Sequence, residues 1–169
     1  MLKNIINNNL IAIVIHVCIC IAVFLPTVII MAPAGPLWSV SYWERGALRS
    51  IVMQSLYIGI LTIITFVLYF LAGRKYLTNT GHLLTNALSV IAIPLLMIIA
   101  TVLTIDRAIP LGMAIPLGML VMPVNLISDT ISFFLRIELK YAYMIMLPLA
   151  PLAVWLGLVT RGNFQNEST

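Results

Sequence analysis

The sequence predicts an all-α integral membrane protein, a bundle of four to five transmembrane helices whose fourth member is kinked or re-entrant. Three observations carry this. The 169 residues are 62% hydrophobic and only 8% charged, where an ordinary soluble domain carries about 25% charged residues. The mean hydropathy is +1.12. The apolar residues fall into long runs separated by short polar or charged connections. A soluble fold of this size leaves roughly 30% of its surface in water and has nowhere to hide so much apolar area, so lipid is the expected solvent.

The first run, residues 10–32, has His16 as its only titratable group besides Cys18 and Cys20 and is long enough to cross a hydrocarbon core that needs about 20 residues. Ala32, Pro33 and Ala34 mimic a signal-peptidase site, but the run exceeds the roughly 7–15 apolar residues of a secretory leader, so a span is expected. The connection that follows mixes Pro33, Gly35, Pro36, Trp38, Tyr42, Trp43, Glu44, Arg45 and Arg49, the turn formers, aromatics and charges of an interfacial segment. The second run, 51–72, carries no charge and is predicted to stop at Gly73, Arg74 and Lys75, cations that suit a helix C-terminus. After a polar turn at Thr78, Asn79, Thr80 and Gly81, the third run, 84–105, contains Pro94. A kink is expected there, because proline removes a hydrogen bond and clashes with the carbonyl four residues back.

Residues 108–128 are again apolar but hold Pro110, Pro116 and Pro123. A kinked fourth span is the preferred expectation, with a re-entrant hairpin as the alternative, since irregular backbone at membrane depth needs protein or water around it. Residues 129–140 place Asp129, Ser132, Arg136 and Lys140 on one helical face, as in a surface-lying amphipathic segment, although 135–140 also alternate as a strand does. A last run, 141–160, ends at Arg161, and 161–169 read as a disordered polar tail. Residues 1–160 thus form a single polytopic domain.

The net charge of +4 does not point to nucleic acid. The nine Lys and Arg residues stand singly or in pairs at the ends of apolar runs, where cationic side chains flank spans and reach the headgroups. Five spans with the N-terminus inside split them five against four, four spans split them four against five, and neither balance sets an orientation. The five-span arrangement is the expectation carried forward, and it places Arg161 across the membrane from Lys75. No Cys-x-x-Cys pair, phosphate loop, zinc motif or nucleophile elbow occurs.

Titratable groups at membrane depth are candidates for function because a charge there costs about 2.5–3.5 kcal/mol or more. His16 shares a helix face with Cys20, four residues on, and both residue types bind soft metals. Neutral histidine bonded to a neighbouring helix explains the position with fewer assumptions, and no metal or other cofactor is expected. The nine methionines read as packing filler. Asp106 and Arg107 mark a span boundary. Asn125 and Asp129 lie one turn apart and, with Arg136, form a candidate polar cluster for a solute path or an interface. Ala108 with Gly112, Ala114 with Gly118, and Ala153 with Gly157 set small residues four apart, a spacing that lets helix backbones approach closely in lipid.

With packing patterns and no reactive constellation, the expected role is that of a non-enzymatic multi-pass protein of the bacterial cell membrane. It would act through helix contacts with another membrane protein or a second copy, as an accessory, regulatory or immunity-type subunit. The competing expectation is a small solute transporter or substrate-binding membrane subunit.

Overall fold

The computed structural model describes residues 2–31, 48–105, 118–121, 124, 128, 131, 142 and 146–165. Five helices organise them: α1 (Leu2–Met31), α2 (Leu48–Tyr76), α3 (Leu83–Leu88), α4 (Ala92–Ile105) and α5 (Leu149–Gln165). No strand occurs among the described residues. Three stretches, Leu2–Thr27, Gly59–Tyr76 and Leu83–Leu103, are long and apolar enough to cross a membrane.

The core is mainly apolar, but the outer surface is unlike a soluble protein's. Asn8, His16, Thr27, Thr65, Asn86, Ser89 and Ser128 are buried, while Val14, Leu25, Ile60, Ile63, Leu84, Ile99 and Val102 are among many large apolar side chains facing outward. In water, an exposed apolar surface of this extent drives association; in lipid it costs nothing. Three buried hydroxyls bond to the carbonyl one turn back, Thr27 donating to Val23, Thr65 to Leu61 and Ser89 to Thr85, which pairs their donors in an apolar interior.

Inward faces are built on a four-residue repeat. On α1 the buried row runs Asn8, Ala12, His16 and Cys20; on α2 it runs Leu61, Thr65, Tyr69 and, past Gly73, Leu77. Residues four apart lie one above the other on a helix, so each row is a stripe that the other helices cover. The most extensive contact is between α2 and α5. A side chain on Gly73 would collide with the backbone of Val154, and one on Gly157 with the backbone of Phe70. Two backbones therefore touch there, which only glycine permits.

One end of the bundle is held by amide side chains. Buried Asn8 donates to the Thr78 carbonyl at 2.8 Å and accepts from the Thr78 N–H at 3.0 Å, binding the start of α1 to the turn after α2. Asn9 donates to the Leu88 carbonyl and accepts from the Ala92 N–H, so it spans the junction of α3 and α4. Within the turn, Asn86 accepts from the N–H and hydroxyl of Thr80, Asn79 accepts from Asn86 and from the Gly81 N–H, and Gly81 takes φ +81°, a conformation that favours glycine. Arg161 donates to the carbonyls of Lys75 and Leu77, covering acceptors that the end of α2 leaves open. The start of α1, the end of α2, the start of α4 and the end of α5 thus meet, and α2 and α5 run parallel.

Several expectations are corrected by these facts. Arg161 sits beside Lys75, not across the bundle from it as five spans require. The second helix ends at Tyr76 with Arg74 and Lys75 in its last turn, as expected, and Gly73 lies in the close contact with α5. The third run is interrupted at residues 89–91, one turn before Pro94. Proline lacks the N–H that would reach the Val90 carbonyl, and the Ile93 N–H takes that acceptor instead at 3.3 Å, tightening the turn. The chain is helical through Gln165, into the segment where a disordered tail was expected.

A buried histidine cluster as candidate functional site

The candidate site is the point where α1, α2 and the segment at residue 120 meet. The four-residue row on α1 carries His16 inward with Cys20 one turn above it, and both are buried; Cys18, turned away by its position, is exposed. Tyr69 reaches the same point from the row on α2 and is also buried. Its hydroxyl lies 2.6 Å from His16 Nδ1, and the two rings stack with centroids 5.9 Å apart and planes 23° apart. On the other edge of the imidazole, Nε2 lies 2.9 Å from the Leu120 carbonyl oxygen.

These contacts assign the proton. A carbonyl only accepts, so Nε2 carries the hydrogen and donates to Leu120; Nδ1 of the neutral ring is then an acceptor and the Tyr69 hydroxyl donates to it. A neutral imidazole with both nitrogens engaged is the form that costs least in an apolar interior. The Cys20 thiol donates to the same Leu120 oxygen at 3.4 Å, and its sulfur lies 3.6 Å from Nε2. The Leu120 oxygen thus accepts from two side chains of α1.

Beside Tyr69 lies a cavity of about 30 Å³, lined by Thr62, Thr65, Phe66, Val124 and Met146 among others. No group of three or more His, Cys, Asp or Glu side chains converges among the described residues.

Of the residues singled out from sequence, His16 is at this site. Ala153 is fully buried and Gly157 lies against Phe70 in the α2–α5 contact; Gly118 makes no comparable contact among the described residues. Asp106, Arg107, Ala108, Gly112, Ala114, Asn125, Asp129 and Arg136 lie outside the described residues, as do residues 32–47 of the interfacial connection and the amphipathic segment at 132–140; Arg49, expected in that connection, belongs to the start of α2. Tyr69, the Leu120 carbonyl, Asn8 and Asn9 were not singled out. A signal existed for Tyr69, four residues from both Thr65 and Gly73, and for Asn8 and Asn9, amides abutting an apolar run; the Leu120 carbonyl had none, since a backbone acceptor leaves no trace in sequence.

No family model matches the chain, and no curated protein or solved structure matches it.

Proposed function

We propose that this chain is a four-crossing membrane protein that acts without catalysis, through helix contacts with another membrane protein, as an accessory, regulatory or immunity-type subunit. The observation that carries this reading is the division of labour among its side chains. The interior amides, His16 and Tyr69 are engaged in bonds between segments of the chain, and what the helices present outward is apolar surface such as Ile60, Ile63, Ile64 and Val67 on α2. A protein so arranged meets its surroundings by its shape in the bilayer.

The topology follows from the shared end. With α1 and α4 leaving that end and α2 and α5 arriving at it, α5 makes the number of crossings even. The chain between Ile105 and Leu149 then starts and finishes away from that end, with Leu120 carried inward to His16. Single cysteines placed at Asn4 and Gln165 are expected to react with a membrane-impermeant maleimide from the same side of sealed vesicles; labelling from opposite sides refutes the even count.

The partner reading is tested by mild-detergent purification and native mass spectrometry. A stoichiometric membrane partner is expected, lost when Ile63 and Val67 are both replaced by tryptophan while the chain itself remains folded. A lone chain that retains a small molecule instead overturns it in favour of solute binding.

A further inference from the structure

The geometry points to a water-filled half-channel inside the bundle, entered from the end away from Asn8 and Arg161 and stopping at the Tyr69 hydroxyl, a feature that does not depend on the partner reading. Two hydroxyls call for it. Ser128 is fully buried, and neither its oxygen nor the buried hydroxyl oxygen of Tyr57 has a hydrogen-bond partner. Other helical hydroxyls of this bundle bond to the carbonyl four residues back, as Thr27, Thr65, Ser89, Thr101 and Thr160 do. Ser128 does not, and a bond left unmade in an apolar interior is costly. Internal water is what satisfies such groups in folded chains.

The space lies where these groups lead. Tyr57 stands at the four-residue spacing of the inward row of α2 that continues through Leu61, Thr65 and Tyr69, and Val124 and Ser128, both helical, are likewise one turn apart. The cavity of about 30 Å³ is lined by Thr65 and Tyr69 from the first row and Val124 from the second, and it exceeds the roughly 10–15 Å³ that a single water needs. A buried water also requires about two to four polar partners. Thr65 and Tyr69 spend their hydrogens on Leu61 and His16, which leaves their lone pairs to accept from water, and Thr62 adds a third hydroxyl to the lining. Ser128 and Tyr57 contribute the complement, O–H donors without an acceptor.

Only one end is open. Beyond Tyr69 the α2 and α5 backbones touch at Gly73 and Gly157, and both nitrogens of His16 are engaged, so no path continues toward Asn8. In the other direction, Leu120 meets His16 beside Tyr69, Val124 faces the cavity with Thr65, and Ser128 follows one turn on. That row therefore descends along α2 toward Tyr57, which precedes Tyr69 by about 18 Å at 1.5 Å per residue. The unpartnered hydroxyls mark the route by which water reaches the cavity.

The test uses the unaltered chain in lipid nanodiscs, where hydroxyl radicals generated from water by an X-ray pulse oxidise the side chains around internal water. Tyr69 and Met97 are both buried, but only Tyr69 lines the cavity. After correction for intrinsic reactivity, Tyr69 is expected to be oxidised several-fold faster than Met97, and Ala150→Leu, which fills the cavity, to abolish the excess. Ser128→Cys, made together with Cys18→Ser, is expected to react with a charged, membrane-impermeant methanethiosulfonate from the side opposite the one that labels Asn4→Cys. Oxidation of Tyr69 no faster than that of Met97, an excess that persists in folded Ala150→Leu, or a Ser128→Cys thiol that the charged reagent leaves unmodified or reaches from the Asn4 side each overturns the channel. Elution volume in size-exclusion chromatography verifies that every variant is folded.

Discussion

Replacing Gly157 by alanine is expected to destabilise the protein by about 3 kcal/mol or more, the upper part of the range for overpacking. The added methyl meets the Phe70 carbonyl and the Arg74 amide nitrogen, and these are backbone atoms that no rotamer change can move. The α2–α5 contact must open along its length, and with it the burial of Ala153, Val154 and Leu158. Gly73→Ala is expected to behave alike, since its methyl meets the Val154 backbone. The control is Gly59→Ala. That glycine has open space around it, and removing a helical glycine there is expected to raise stability by about 0.5–1 kcal/mol. Reversible unfolding in mixed detergent and dodecyl sulfate micelles measures all three; equal effects at Gly157 and Gly59 sink the close-contact argument.

The second large effect is expected at His16. Phenylalanine fills its volume but leaves the Tyr69 hydroxyl without its acceptor and the Leu120 oxygen with only the weaker thiol donor, a loss of about 2 kcal/mol. Tyr69→Phe removes a single hydroxyl, and hydrogen bonds between membrane helices average about 0.6 kcal/mol with a maximum near 1.7, so its loss is expected to be the smaller. Since the two side chains share one bond, the double variant is expected to lose less than the separate losses added together. The same unfolding assay reads this coupling, and strictly additive losses are incompatible with the His16–Tyr69 bond.

Much of the architecture was legible before any coordinates. Long uncharged runs oblige helices, because in lipid each backbone amide must find its partner within its own segment, and three stretches of the required length and hydropathy are present. The cations Arg74 and Lys75 marked the last turn of the second helix, but nothing in the sequence showed that Gly73 lies against Val154, a residue of another helix. Pro94 marked the correct turn of the chain but not the interruption itself, which falls at the preceding residues where the freed Val90 carbonyl is taken up by Ile93.

At the candidate site, sequence alone brought His16 and Cys20 onto one face of α1 through the helical repeat, and its apolar runs determined that three helices are long and apolar enough to cross a membrane. Tertiary structure decided the rest: that Tyr69 donates to one nitrogen of His16 and Leu120 accepts from the other, that Asn8 and Asn9 gather four helix ends, and that Arg161 returns to Lys75. The physical reason is range. Periodicity and hydropathy act between residues one turn apart, whereas these bonds join positions 53 to 104 residues apart, whose meeting depends on how every intervening helix packs.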